Sequence, residues 1–540
     1  MHPPRPVRVV LVGFGPVGAR FAEELLPEVV AGRVDLTVVG AESGDPYNRV
    51  LVAELAVGLT EKDDIVLADS DELRGSGVDV RTGVRVVAID REARTVLLDD
   101  GTDVEYDRLV LATGARANIP TLSGVARTIR DSSTLGRLGH AAIGTDDALP
   151  TGVTVVRDLA DAETIGRAVA AKQHIVVLGA GVLGLEFALL AARHGATVSV
   201  VHTGAFPMPR NLDRGGGSVL SRALRARGIT LLAHSPAEGI AVHTEDDGTT
   251  RFDALYTADG KHIHGDLLVL SCGVGARAEL AVTAGLRTEA GIVVDRDLRS
   301  WTDSRIYAIG DCAHIVENDG QTDTARLGGA PAGLIGPGWR QAEWLAARFA
   351  ADVTGTEHSD APPAERASVV MLKGEGIDAV SAGAISAEPW DPRIGDVEPP
   401  NVALWADPEH GRYVKMVTRD GVLEGFVSVG MPRASAELTM LFERGGELPS
   451  DRSLLLRLDA PDEPVASGTP AGPEAIICTC NAVTAGTISD AWHAGNTTVA
   501  CIGKATRAGT GCGGCKDRIE RIIADREATL GTPPALEVTA

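Results

Sequence analysis

Val7-Arg-Val-Val-Leu-Val-Gly13-Phe-Gly15-Pro-Val-Gly18 is an apolar run closed by glycines at the G-x-G-x-x-G spacing. Such a run, punctuated by glycine, reads as a buried strand entering a tight turn. A helical pattern follows from about Gly18 to Val30, and a second apolar strand, Asp35–Gly40, ends beside Glu42. These parts make a βαβ unit. Its first glycine permits the turn, the second lets backbone approach a pyrophosphate, and the third lets the helix close on the strand. The helix N-terminus then faces phosphate charge, and Glu42 is placed to accept hydrogen bonds from a ribose diol. The device returns at His174-Ile-Val-Val-Leu-Gly179-Ala-Gly181-Val-Leu-Gly184, with a helix to His194 and a strand at Thr197–Val201. This second copy has no acid after its second strand, where His202-Thr203-Gly204 stands. Histidine selects neither NADH nor NADPH; Arg210 and Arg214 are near enough in sequence to reach a 2′-phosphate and equally suit solvent, and NADH is favoured. Glu186, two residues past Gly184, is placed to line the nicotinamide side and is the one candidate catalytic side chain.

The chain has 540 residues, 44% of them hydrophobic, and a net charge of −23. That length suits several domains with sizeable cores. The acidic balance disfavours nucleic acid and anionic membrane surfaces as partners. The start, Met1-His-Pro-Pro-Arg-Pro, lacks the apolar core of a secretory signal. The apolar stretch Ile175–Ala192 contains glycines and the charged Glu186, so it reads as strand, turn and helix, not as a membrane span. Seven cysteines, four of them clustered near the C-terminus, point to an inorganic centre in a reducing, cytoplasmic setting.

The fold expected is α/β, with two Rossmann-like dinucleotide-binding domains, the second inserted in the first. A small α+β domain and a small helical C-terminal iron–sulfur domain follow. The expected boundaries are 1–150 and 266–350 for the two parts of the first domain and 151–265 for the inserted one. The small α+β domain spans 365–455, where Arg412–Thr418 and Val422–Val429 flank the hairpin signal Arg419-Asp420-Gly421. Residues 456–474 read as a Pro-rich, acidic linker, 475–530 as the iron–sulfur domain, and 531–540 as a disordered tail.

Between the two glycine turns lies Ala112-Thr113-Gly114, and after the second comes Gly310-Asp311. This set of motifs, over roughly residues 7–350, resembles the two-dinucleotide-binding-domain flavoprotein reductases. The resemblance implies that Gly13, Gly15 and Gly18 bind FAD, together with Glu42, Thr113, Gly114, Gly310 and Asp311. It implies that Gly179, Gly181, Gly184 and His202 serve NAD(P)H. Asp311 would bond the ribityl or pyrophosphate region. Pro46-Tyr47-Asn48-Arg49 is similar to the segment in which an arginine, here Arg49, lies along FAD. Gly336-Pro337-Gly338-Trp339 resembles the helix start near the flavin pyrimidine end. Disulfide reductases of this family carry a redox cysteine after the first acid; residues 43–60 here contain none. Thiol chemistry on the flavin is therefore not expected.

Cys478-Thr-Cys480-Asn481 and Cys512-Gly-Gly-Cys515 form two close pairs of thiolate ligands. Zinc, a disulfide and a [2Fe–2S] cluster are all open to such pairs, but the Cys-x-Cys spacing counts against structural zinc. Gly509, Gly511, Gly513 and Gly514 would let backbone N–H groups approach sulfur. The asparagine after Cys480 and the close Gly-Thr-Gly-Cys-Gly-Gly-Cys resemble the bacterioferritin-associated-ferredoxin-like domain. That resemblance implies that Cys478, Cys480, Cys512 and Cys515 hold a [2Fe–2S] cluster.

The order of parts resembles the electron-transfer subunits of bacterial assimilatory nitrate reductases and the N-terminal half of assimilatory nitrite reductase large subunits. What this implies is an NAD(P)H-dependent FAD oxidoreductase that sends single electrons through the cluster to a partner protein. The foremost partner is a nitrate reductase catalytic subunit. Another acceptor (a rubredoxin, an oxygenase or a nitrite reductase) is the alternative, as is a redox-sensing or docking protein stapled by zinc. Only Cys272, Cys312 and Cys501 remain beyond the cluster set, too few for a sirohaem module, so nitrite reduction by this chain itself is not expected. Elemental analysis separates the cases: about two irons and about two acid-labile sulfides per chain for the cluster, or one zinc and no iron for the stapled module.

Overall fold

The computed structural model describes residues 5–125, 149–245, 248–316, 329–331, 333–358, 369–374, 376–392, 398–457, 459, 472–511 and 513–531. Most of the expected linker, and the expected tail after Gly531, lie outside the described residues. Gly531 itself ends the helix Lys516–Gly531.

The first apolar run is the central strand of a five-stranded parallel sheet. Its order is Ile306–Ala308, Arg108–Leu111, Val7–Val12, Val34–Gly40, Asp79–Thr82. The helix Pro16–Val30 covers one face and packs on the long helix Ile335–Thr354. Where the central strands are covered on both faces they read as continuous Val and Leu, at Val9–Val12 and Leu109–Leu111, and not as an alternating pattern. The second apolar run repeats the arrangement in a sheet ordered Thr230–Leu232, Thr197–Val201, His174–Leu178, Leu267–Leu270, Val153–Val155, again all parallel. In both units a separate three-stranded antiparallel meander (Val86–Glu105 in the first, Ala237–His264 in the second) precedes the strand that returns beside the central one. All the second sheet's strands fall between Arg108–Leu111 and Ile306–Ala308 of the first, so the second unit is inserted in the first.

One expected boundary moves. Position 266 was to open the second part of the first domain, yet Leu267–Leu270 pairs with His174–Leu178 in the inserted sheet. The chain returns at Val274–Ala276, which pairs antiparallel with the outgoing Ala115–Ala117. An apolar run of four announces a strand, but only pairing decides which sheet receives it.

The third unit is an antiparallel sheet ordered Val370–Gly374, Ile377–Gly383, Val422–Val429, Arg412–Arg419, Asn401–Asp407. The expected hairpin is present: Asp420 and Gly421 both have positive φ, 50° and 82°, as a two-residue turn with right-handed twist requires. One face packs on the helix Pro432–Arg444 through Val414, Met416 and Phe426. The other joins the inserted domain: Tyr413, Val427 and Val429 share a core with Leu220 and Leu224. That core also takes in Leu51, Val52 and Ala56 of the first domain, so all three units meet in it. A separate, smaller core of Ile477, Ile488, Trp492, Ile502 and Ile519 holds the C-terminal unit together with Cys478 and Cys515. No described helix is long and apolar enough to cross a membrane.

A buried charge cluster fixes the third unit to the inserted domain. Lys415 is fully buried and lies 3.3 Å from Asp213 and 3.2 Å from Glu388. Asp213 also accepts from Gly216 N, capping the helix Arg214–Ala226, and from the Tyr413 hydroxyl. Removing one partner of a buried pair leaves an uncompensated charge. Lys415→Ala should therefore lower the unfolding free energy by about 3–5 kcal/mol, read from denaturant unfolding.

Candidate functional site

The two glycine turns share one backbone construction. Gly13 N–H donates to Val39 O and Ala112 N–H to Val12 O, both at 2.8 Å. Gly179 N–H donates to Val201 O and Ser271 N–H to Leu178 O, again at 2.8 Å. Gly13 (φ 110°) and Gly179 (φ 119°) stand in conformations that side chains avoid, and a Cβ on either would overlap the carbonyl oxygen of Ala112 or Ser271. The third glycines close the helix: a Cβ on Gly18 or Gly184 would strike the carbonyl oxygen of Gly13 or Gly179. The middle glycines differ. Nothing lies within 4 Å of a Cβ built on Gly15 or Gly181, so each turn opens to a ligand at that point.

Helix capping supports the same reading. The helices Leu159–Ala170, Arg214–Ala226, Ala485–His493 and Val499–Thr506 are each capped by an Asp or Thr side chain. The helices after the two glycine turns, Pro16–Val30 and Val182–Arg193, have no side-chain cap and no acid in the first turn; Ile335–Thr354 and Pro432–Arg444 share that lack, but of the four only these two have as N-cap a glycine that opens to a ligand. Their N–H groups and positive dipole ends are left for an anion. A dinucleotide pyrophosphate fits both turns.

Around the first turn, Glu42 accepts from the Tyr47 hydroxyl at 2.9 Å and pairs with Arg49. Burial pushes the Glu42 carboxyl up, but the Arg49 guanidinium and Tyr47 hydroxyl outweigh it and hold it below its usual range. Ionised, it keeps lone pairs for a ribose. Arg49 lies 5.0 Å from the Tyr47 ring and donates to Arg157 O at 3.4 Å. Arg157 lies 3.6 Å from Asp311, and its buried Nε has no partner. Burial, then the charges of Arg49 and, more weakly, Arg277, lower the Arg157 pKa. Three guanidiniums, Arg49, Arg157 and Arg277, thus gather with the carboxylates Glu42 and Asp311 beside the first turn, with Asp158 acting on Arg49 as well. Gly310 (φ 73°) touches Val17 of the first turn, which brings Asp311 to it. Thr113 spends its hydroxyl on Arg277 O at 2.6 Å, and Gly114 O accepts from Arg277 N, so this pair forms the crossing between domains. Sequence spacing pointed to Glu42, and the family resemblance to Arg49 and Asp311; neither linked Arg157 or Arg277 to them.

At the second turn, Glu186 is half-buried on the helix Val182–Arg193. The backbone bonds align Val201 with Val39, so Gly204, not His202, holds the place of Glu42. His202 is instead buried, 5% exposed, and neither ring nitrogen has a partner. With glycine at the ribose-acid position, no carboxylate stands there to repel a 2′-phosphate.

In the C-terminal unit, Cys478 and Cys515 are buried and Cys480 is half-buried; Cys512 lies outside the described residues. Among the described residues no three His, Cys, Asp or Glu side chains converge on a metal position. The donor set nevertheless suits a cluster. The Cys515 thiol, offset by burial, and then the N–H groups of Gly509 and Asn481 lower the Cys478 pKa towards the thiolate a metal needs. The Asn481 amide lies 3.9 Å from Cys478 Sγ.

Residues 7–329 match the family described as pyridine nucleotide-disulphide oxidoreductase, and residues 476–525 match the BFD-like [2Fe-2S] binding domain. Over 98% of its length the chain is 29% identical to the assimilatory nitrate reductase electron transfer subunit of Bacillus subtilis (strain 168), covering 61% of that protein. It is also 29% identical, over 97% of its length, to a nitrite reductase (NAD(P)H) of the same organism, covering 58% of it. The chain thus spans less than two thirds of these curated relatives. A solved ferredoxin reductase from Rhodopseudomonas palustris has the same fold, with a TM-score of 0.63 and 25% identity, covering 84% of this chain and 100% of that one. FAD, NAD(P)H and a [2Fe–2S] cluster are the cofactors these matches imply.

His202 supplies a pH test. Burial first, then the charges of His234 and Arg225, lower its pKa from 6.5. The unfolded imidazole takes up a proton near pH 6.5 and the folded one does so only at lower pH, so stability falls as pH drops through that value. His202→Leu should shrink the loss of melting temperature between pH 7.5 and 5.5, measured against the unsubstituted protein.

Proposed function

Because the chain belongs to the pyridine nucleotide-disulphide oxidoreductase family, we propose that it oxidises NAD(P)H at the Gly179 turn and reduces FAD at the Gly13 turn. It then passes single electrons through the cysteine unit to a separate acceptor, foremost a nitrate reductase catalytic subunit. The observation that carries this reading is the pair of uncapped helix N-termini, each behind a glycine open to a ligand. When bound, the three groups supply the redox chemistry, hydride at the flavin and single electrons at the cluster.

The chain's own residues bind and orient. The N–H groups behind Gly15 and Gly181 hold the two pyrophosphates. Arg49, Arg157 and Arg277 bind the diphosphate at the first turn, and Glu42 takes the ribose. Asp311 reaches the same site beside Val17. Glu186 lines the nicotinamide side. No general acid or base is required, since positioning carries a hydride transfer. Cys478, Cys480, Cys512 and Cys515 hold the cluster. The name of the Bacillus subtilis electron transfer subunit supports the nitrate reductase partner. Equal identity to a nitrite reductase supports a second reading, in which the acceptor is a nitrite-reducing module.

Anaerobic titration with NADH and with NADPH tests the route. Flavin and cluster bands that both bleach with one nucleotide support it; cluster bands that stay oxidised while flavin bleaches refute it. Gly181→Leu places a side chain in open space, so the protein should fold and retain FAD. Its bleaching by either nucleotide should slow by more than about 100-fold, followed by stopped-flow absorbance.

A further inference from the structure

The two cysteine-bearing loops are each gripped by a buried side chain of the first domain. Asn48, 1% exposed, donates its amide to Thr510 O at 2.7 Å and to Gly511 O at 2.6 Å, the two carbonyls just before Cys512. Its own oxygen accepts from Val50 N at 3.0 Å, so all of its polar capacity at the seam is used. Arg20, 6% exposed on the helix of the Gly13 turn, donates to the Asn481 side chain at 3.0 Å, just after Cys480. Its other nitrogen is held 2.8 Å from Glu343. Asn481 in turn donates to Arg507 O at 2.6 Å.

Trp339 fills the space between these grips. Its indole N–H donates to Pro16 O, the residue after Gly15, at 3.0 Å. Arg20 stacks over its ring at 4.7 Å. On the far side, a Cβ at Gly511 would lie 3.0 Å from the Trp339 ring and 2.9 Å from Cys480 Cβ. Only glycine lets the cysteine loop close on the tryptophan. At the rim, Arg507 pairs with Glu24 at 2.7 Å and Glu23 at 3.5 Å.

We infer that Asn48 and Arg20 are positioning residues that fix both cysteine loops against the Gly13 turn, so electrons leave the flavin for the cluster across a static seam and not after a domain swing. The inference rests on the electron route proposed above. Neither residue touches a reacting atom; each acts through the loop that it holds. A swinging carrier would need a seam that opens readily, whereas breaking this one leaves two carbonyls, the Asn48 amide and one of the Arg20 nitrogens without their partners.

The test uses the full protein carrying its cofactors, with iron content matched between variants. Asn48→Ala and Arg507→Ala are mixed anaerobically with the nucleotide that bleaches the unsubstituted protein, and flavin and cluster bands are followed separately. Flavin bleaching should keep its rate in both. Cluster bleaching should slow by at least about tenfold in Asn48→Ala and less in the rim variant Arg507→Ala. Amide hydrogen exchange across residues 505–511 should rise in the same order. Unchanged cluster bleaching and unchanged exchange in Asn48→Ala overturn the latch while leaving the electron route standing. An unsubstituted protein whose cluster never bleaches overturns the route, and the latch with it.

Discussion

The structure depends on one close backbone pass, made twice. Gly13 and Gly179 run so near the carbonyls of Ala112 and Ser271 that no Cβ fits between. That contact locks the turn to the strand returning beside it and aims the following helix at the sheet's carboxyl edge. Ligands of open α/β sheets bind at that edge, where the strand order reverses. With the turn fixed, the helix N–H groups point outwards at Gly15 and Gly181, and no side chain claims them. In the inserted unit, the helices Leu159–Ala170 and Arg214–Ala226 are each capped by an Asp side chain, whereas the helix behind its glycine turn is not.

The same contact divides the electrostatic work. At the first turn, strand Val34–Gly40 ends near an acid that Tyr47 and Arg49 orient, and two further arginines arrive from the inserted domain's start and from the returning crossover. At the second, the equivalent place is Gly204 and the nearby imidazole is turned inwards. The first site is thus charged and enclosed by three segments distant in sequence, whereas the second is made mostly of backbone. A tightly held flavin and an exchangeable nicotinamide nucleotide match that contrast.

Much of this was legible in the residues because it is local. Strand, turn and helix within one βαβ unit are written in consecutive positions, so Val7–Val12, His174–Leu178 and the Asp420-Gly421 turn were found where expected. What needed the fold was any pairing across distance. Leu267–Leu270 carries no mark of its sheet. Arg157 looks like an ordinary residue before the cap of helix Leu159–Ala170. Asn48 sat inside a recognised segment, but its partners, Thr510 and Gly511, lie at the other end of the chain. His202 misled because it directly follows the second strand, and register, not sequence distance, decides which residue reaches a ribose.

The cores have a further consequence for how the molecule comes apart. One continuous apolar core runs through the first, inserted and third units, joining Leu51, Leu220 and Val427. That shared core couples the three units into one block, alongside the separate cores that each of them keeps. The C-terminal unit has its own small core, and the contacts that join it to the block are largely hydrogen bonds and ion pairs. Such a seam forms a natural boundary between two foldons of unequal size. The smaller foldon, leaning on its inorganic centre for stability, is the first to be lost under chelation or oxidation. What would remain is the block of three units, its two glycine turns intact.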